Sequence, residues 1–81
     1  MDTQTIDVNG KTIWVTAEPV RSYQTHNKAI LTVPHQYYGY YRYDPPGETV
    51  LGTQLLQDGQ PKIFATREQI IENVRSLHSN L

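Results

Sequence analysis

Five of the six tyrosines of this 81-residue chain fall within seven consecutive positions, Tyr37, Tyr38, Tyr40, Tyr41 and Tyr43, interrupted only by Gly39 and Arg42. Aromatic residues at this density, preceded by the apolar and β-branched run from Ala29 to Val33, argue for extended structure. Successive side chains of a strand point to opposite faces, so Tyr37, Tyr41 and Tyr43 go to one side and Tyr38, Tyr40 and Arg42 to the other. Tyrosine is a large apolar body with a polar tip. Such a cluster is either core whose hydroxyls find partners or a surface built to adhere.

The remaining elements follow from local patterns. Asn9-Gly10 between Thr3–Val8 and Lys11–Val15 is a strong signal for a type I′ hairpin. Pairing outward from that turn sets Ile6 against Ile13 and Thr5 against Trp14. One face then carries Ile6, Val8, Ile13 and Val15, and the other carries Asp7, Thr12 and Trp14. The polar segment from Arg21 to Lys28 has neither period and reads as a loop. The run from Ala29 to Tyr43 is too long for one ordinary strand and contains Pro34. The expectation is a strand over Ala29 to Val33, a bend or bulge at Pro34-His35 and a strand over Gln36 to Tyr43, with Gly39 a candidate for a second bulge. Asp44-Pro45-Pro46-Gly47 is a turn. Thr49 to Leu56 reads as strand, Asp58-Gly59 as a second hairpin turn, and Lys62 to Phe64 as the return, with Pro61 marking a sheet edge.

Thr66 and Gln69 form a capping-box pattern, with Glu68 placed against the helix dipole. Ile70, Ile71, Val74, Leu77 and Leu81 then follow at helical spacing. A helix of about 13 residues is marginal by itself and must dock its apolar stripe on the sheet, over Ile6, Val8, Ile13 and Val15. The predicted fold is therefore α+β: residues 1–81 as a single domain, an antiparallel sheet of about five strands, and one C-terminal helix on one face.

Size and charge bound the function. A chain this small buries only about 60% of the surface its unfolded form exposes. It contains no cysteine, which removes disulfides, thiol nucleophiles and cysteine-based zinc sites. The N-terminal segment MDTQTIDVNGK has neither the basic nor the apolar part of a secretory signal, and no membrane span is present; a cytoplasmic protein is expected. Net charge is −1, with basic and acidic residues scattered singly. That pattern suits neither duplex DNA nor a polyanion mimic.

The functional expectation comes from a shortage of cover. One such helix is ~20 Å long and ~10 Å wide, whereas five strands ~17 Å long at ~4.8 Å spacing present a face about twice as large. Some of the tyrosines must stay on a surface that no other element reaches. Exposed aromatic patches of this kind mark interaction sites. Tyr37, Tyr38, Tyr40, Tyr41, Arg42 and Trp14 are accordingly the expected binding residues of a small non-catalytic module, facing a protein partner or a second copy in a homodimer. The size also suits an accessory or inhibitor protein of the kind carried by mobile elements.

The alternative class is recognition of single-stranded nucleic acid or carbohydrate by aromatic stacking. The stretch Tyr38-Gly39-Tyr40-Tyr41-Arg42-Tyr43 resembles the RNP1 motif of RNA-recognition domains. It departs from it at Tyr38, where Lys or Arg belongs, and at Tyr41, where a small residue belongs. The passage from a strand through Thr66 and Glu68 into an apolar helix resembles that of HicB-like antitoxins, a likeness that consists of a helix cap and amphipathicity. For catalysis, His35, Asp44 and Glu48 are the available polar groups around the tyrosine run, and no enzyme activity is expected from them. His26, His35 and His78 lack metal-ligand spacing, so neither a metal nor a cofactor is expected.

Overall fold

The computed structural model describes residues 2–24, 29–47 and 49–79. Strand β1 (Asp2–Val8) pairs antiparallel with β2 (Lys11–Gln24), and β2 pairs antiparallel with β3 (Ala29–Arg42). The outer edge of β3 is shared by two short strands, β4 (Thr53–Gln54) against Tyr40 and Tyr41, and β7 (Ile63–Phe64) against Tyr37 and Tyr38. Between them, β5 (Leu56–Gln57) and β6 (Gln60–Pro61) form a separate two-stranded hairpin. Helix α1 (Arg67–Ser79) closes the described chain. The architecture is thus the expected one, a five-stranded antiparallel sheet with one C-terminal helix.

Both hairpin turns have two successive residues at positive φ, Asn9 (53°) with Gly10 (80°) and Asp58 (54°) with Gly59 (80°). This is the type I′ geometry whose twist matches the flanking strands. The first hairpin keeps the register read from its turn, from Val8 opposite Lys11 outward. At the bend expected near Pro34, His35 takes φ 58° and the pairing shifts between Pro19 and Arg21, so a bulge interrupts β3 without ending it.

Four expectations are corrected. Arg21 to Gln24 is not loop: it continues β2 and pairs with Ala29 to Thr32, while residues 25–28 lie outside the described residues. The backbone ladder to Ala29 to Thr32 holds the segment extended whatever the pattern of its side chains. Gly39 is not a bulge; it pairs regularly with Ala17, and a Cβ there would stand 2.8 Å from Leu55 Cδ1 and 2.9 Å from Ile70 Cγ2. Its role is close approach of helix to sheet. The strand expected from Thr49 to Leu56 is cut to Thr53–Gln54 on β3 and Leu56 in the separate hairpin, with Gly52 (φ 113°) turning the chain tightly against the Tyr41 carbonyl before it. Finally, the buried stripe of α1 is Ile70, Val74 and His78, with Ile71 half-buried, whereas Leu77 is 51% exposed. Leu81 lies outside the described residues.

The core lies between α1 and one face of the sheet, built from Val8, Ile13, Val15, Ala17, Leu55, Phe64, Ile70 and Val74, with Ile6, Tyr37 and Tyr41 packed at its margin. Leu55 enters it because its N–H bonds to the Gly39 carbonyl (2.8 Å), holding the chain against β3 before the β5–β6 hairpin departs. The helix start is capped as its sequence suggests. The Thr66 hydroxyl accepts from the Gln69 N–H (3.2 Å), and Gln69 Oε1 accepts from the Ala65 N–H (3.0 Å), one residue earlier than in the usual box. Arg67, a cation in the unfavourable first turn, is ion-paired with Asp2 of β1.

Candidate functional site

Strand pairing distributes the aromatic residues. On the face away from α1, three cross-strand pairs lie in succession: Trp14 opposite Arg42, Thr16 opposite Tyr40, and Glu18 opposite Tyr38. Directly opposed residues of antiparallel strands point to the same side. The alternate positions, Val15, Ala17 and Gly39, are buried beneath the helix, which fixes this assignment. Trp14, Tyr38, Tyr40 and Arg42 therefore share one open surface, and each is half-buried. Tyr37 and Tyr41, named with them from the sequence, stand on the opposite face against the core.

The open surface has a packed floor. Thr16 is fully buried although no helix lies on its side. Its hydroxyl bonds to that of Thr3 on β1 (3.0 Å), and Tyr40 stands opposite on β3. Thr3, bonded to Thr16 from β1, contributes to its cover. Burial raises the pKa of the Tyr40 phenol above its ordinary 10.0, and the nearby Glu18 carboxylate and Tyr38 phenol push it further in the same direction. The phenol thus remains a hydrogen-bond donor throughout the physiological range. Glu18 belongs to this surface and was missed in the sequence. The signal available for it was parity, since it falls two and four residues beyond Thr16 and Trp14.

On the helix side, Tyr43 joins a different cluster. His78 Nδ1 lies 2.8 Å from the Val74 carbonyl, which can only accept, so Nδ1 carries the proton. In the neutral ring, Nε2 is then the acceptor for the Tyr43 hydroxyl at 2.8 Å. Tyr41 and Tyr43 meet the imidazole edge-to-face, with centroids 5.3 and 5.6 Å away, and Lys11 Nζ sits 3.8 Å from the Tyr43 ring centroid. The arrangement fastens the end of α1 to the sheet, aided by Asn9 Nδ2, which donates to the His78 carbonyl at 3.4 Å.

Of the polar groups weighed for catalysis, the two that are described, His35 and Asp44, do not converge. His35 occupies the bulge near the helix start and Asp44 follows the far end of β3, so the strand from Gln36 to Arg42 keeps them about 20 Å apart. Glu48 and His26 lie outside the described residues. Among the described residues no three His, Asp or Glu side chains are grouped so as to hold a metal ion. A broad open concavity between β7 and α1 is lined by Lys62, Phe64, Glu68, Glu72 and Asn73, with charges of both signs and no buried polar focus.

These features define an α+β domain with one helix-covered and one open sheet face. Comparison with known proteins finds no matching family model, no matching curated protein and no matching solved structure. No helix among the described residues is long and apolar enough to cross a membrane.

Proposed function

We propose that this protein is a small non-catalytic binding module whose open sheet face, built on Trp14, Tyr38, Tyr40 and Arg42, contacts a protein partner. The observation that carries this reading is the grouping of three large rings and one guanidinium on adjacent strands, on the side that α1 leaves uncovered. Rings and arginine are the residue types that dominate protein interfaces. Stacking on single-stranded nucleic acid or sugar is the second reading, supported by Trp14 beside Arg42. Glu18 at the Tyr38 end of the same face disfavours a phosphate backbone, and the overall charge of −1 offers no compensation. The absence of cysteine suits the reducing cytoplasm.

The sole tryptophan lies within the proposed contact surface and serves as its reporter. Titration with an oligothymidylate at two salt concentrations is expected to leave Trp14 emission unchanged. In affinity capture from cell extract, the wild-type chain is expected to retain a protein that the Trp14→Ala and Tyr40→Ala variants lose. Equal capture by all three would refute the reading, and a salt-dependent quench by the oligonucleotide would replace it with the second.

A further inference from the structure

The open face carries two half-buried charges that do not satisfy each other. Among the described residues neither Glu18 nor Arg42 is ion-paired. They sit on adjacent strands with Arg42 four residues beyond Tyr38, the residue paired to Glu18, so about 14 Å separates them and they cannot meet within one chain. The row through Thr16 and Tyr40 divides the face between them. Trp14 and Arg42 lie one row to one side, Glu18 and Tyr38 one row to the other. Ile63 of β7, paired with Tyr38 and therefore on the same side, is 45% exposed and extends the apolar surface at the Glu18 end. Asp7, farther out at the hairpin end, already accepts from the Thr12 hydroxyl at 3.1 Å.

We infer that the partner of this face is a second copy of the chain, packed sheet against sheet. The inference rests on the reading of the open face as a contact surface and names what it contacts. A twofold axis lying in the contact plane along the Thr16–Tyr40 row, across the strands, exchanges the two outer rows. Glu18 and Tyr38 of each copy then cover Trp14 and Arg42 of the other. Each carboxylate comes within reach of a guanidinium, and each guanidinium lies against a phenol ring. Like charges stay about 14 Å apart.

The charges also choose between the two ways of stacking the sheets. An axis running along the strands would set Glu18 over Tyr38 of the other copy and Arg42 over Trp14, covering each carboxylate with no cation beside it, which is costly. Only the crossing axis pairs them. Stacking gives each sheet the second layer that its single helix does not supply, with both helices outside. The patch, strands ~4.8 Å apart and same-side rows ~6.8 Å apart, is about 20 Å across. That is small beside stable interfaces, so the dimer is a weak and reversible one.

Sedimentation equilibrium from low micromolar to millimolar protein tests the inference. The wild-type chain is expected to show a monomer–dimer equilibrium, with Trp14 emission moving to shorter wavelength as the dimer fills. Glu18→Arg and Arg42→Glu, each alone, set like charges together at both ends of the contact and should weaken the dimer at least about tenfold. An equimolar mixture of the two variants should restore it as a heterodimer, and both substitutions in one chain should restore it as a homodimer. Recovery in either combination shows that the single variants fold. A dimer that the single substitutions leave intact, or one that neither combination recovers, overturns the inference. A chain that stays monomeric while still retaining from cell extract a protein that Trp14→Ala loses also overturns it and leaves the contact-face reading standing. A monomer whose capture Trp14→Ala does not change overturns both.

Discussion

Replacing Gly39 by alanine tests how closely helix and sheet approach beneath the tyrosine strand. The added methyl would stand 2.8 Å from Leu55 Cδ1, 2.9 Å from Ile70 Cγ2 and 3.3 Å from Ile70 Cγ1, where carbon atoms ordinarily rest at about 3.5–4.0 Å. Neither neighbour has room to retreat, because Ile70 and Leu55 are both core residues held between α1 and the sheet. Overpacking of this kind costs about 1–3 kcal/mol. Alanine returns about 0.5–1 kcal/mol by restricting the unfolded chain and favouring extended backbone. The expected net loss is about 1–2 kcal/mol, or a melting temperature lower by about 5–15 °C for a domain of this size. Urea unfolding followed by Trp14 emission measures it. The decisive comparison is the double substitution: Ile70→Ala alone should cost about 2–5 kcal/mol. In the Gly39→Ala background it should cost less, with a coupling of at least about 0.5 kcal/mol, since the new methyl occupies part of the vacated space. Full stability of Gly39→Ala, or strict additivity of the pair, would refute the close-approach account and leave Gly39 as an ordinary strand glycine.

The helix stripe and the open face yield two more expectations. Leu77→Ser should alter stability by no more than about 0.5 kcal/mol, whereas His78→Ala, which removes a buried ring and its bonds to Val74 and Tyr43, should cost about 1–3 kcal/mol; denaturant midpoints rank the two, and the reverse order would contradict the observed stripe. In an alkaline ultraviolet titration Tyr40 should ionise after an unperturbed tyrosine, and Glu18→Gln should bring it back toward 10.0. Because the folded-state pKa is raised, Tyr40 contributes stability that is fully present below pH 10.0 and lost as pH rises through its folded value. Stability that increases with pH in that window would show the sign to be wrong.

Local chemistry made much of this fold readable from the residues in order. Asn9-Gly10 and Asp58-Gly59 specify type I′ turns by their own φ preferences, and a turn of fixed length sets the register of the strands it joins. Thr66 and Gln69 announce the helix start because a cap is made within four residues. Strand parity alone separates Tyr38, Tyr40 and Arg42 from Tyr37, Tyr41 and Tyr43, since alternation is a property of any strand.

The misreadings share a different cause. Leu77 and His78 lie almost equally well on the apolar side of α1, and the choice between them rests on Tyr41 and Tyr43 arriving from a distant strand to accept the imidazole. The stretch from Arg21 to Gln24 shows no period of its own, and it is a strand because Ala29 to Thr32 lies beside it. Glu18 joins the binding face only through its pairing with Tyr38. Turns, caps and alternation are settled between neighbours in the chain, so composition and spacing carry them. Which half of the tyrosine cluster faces outward and which helical residue is buried depend on contacts between segments far apart in sequence, and those exist only once helix and sheet have packed together.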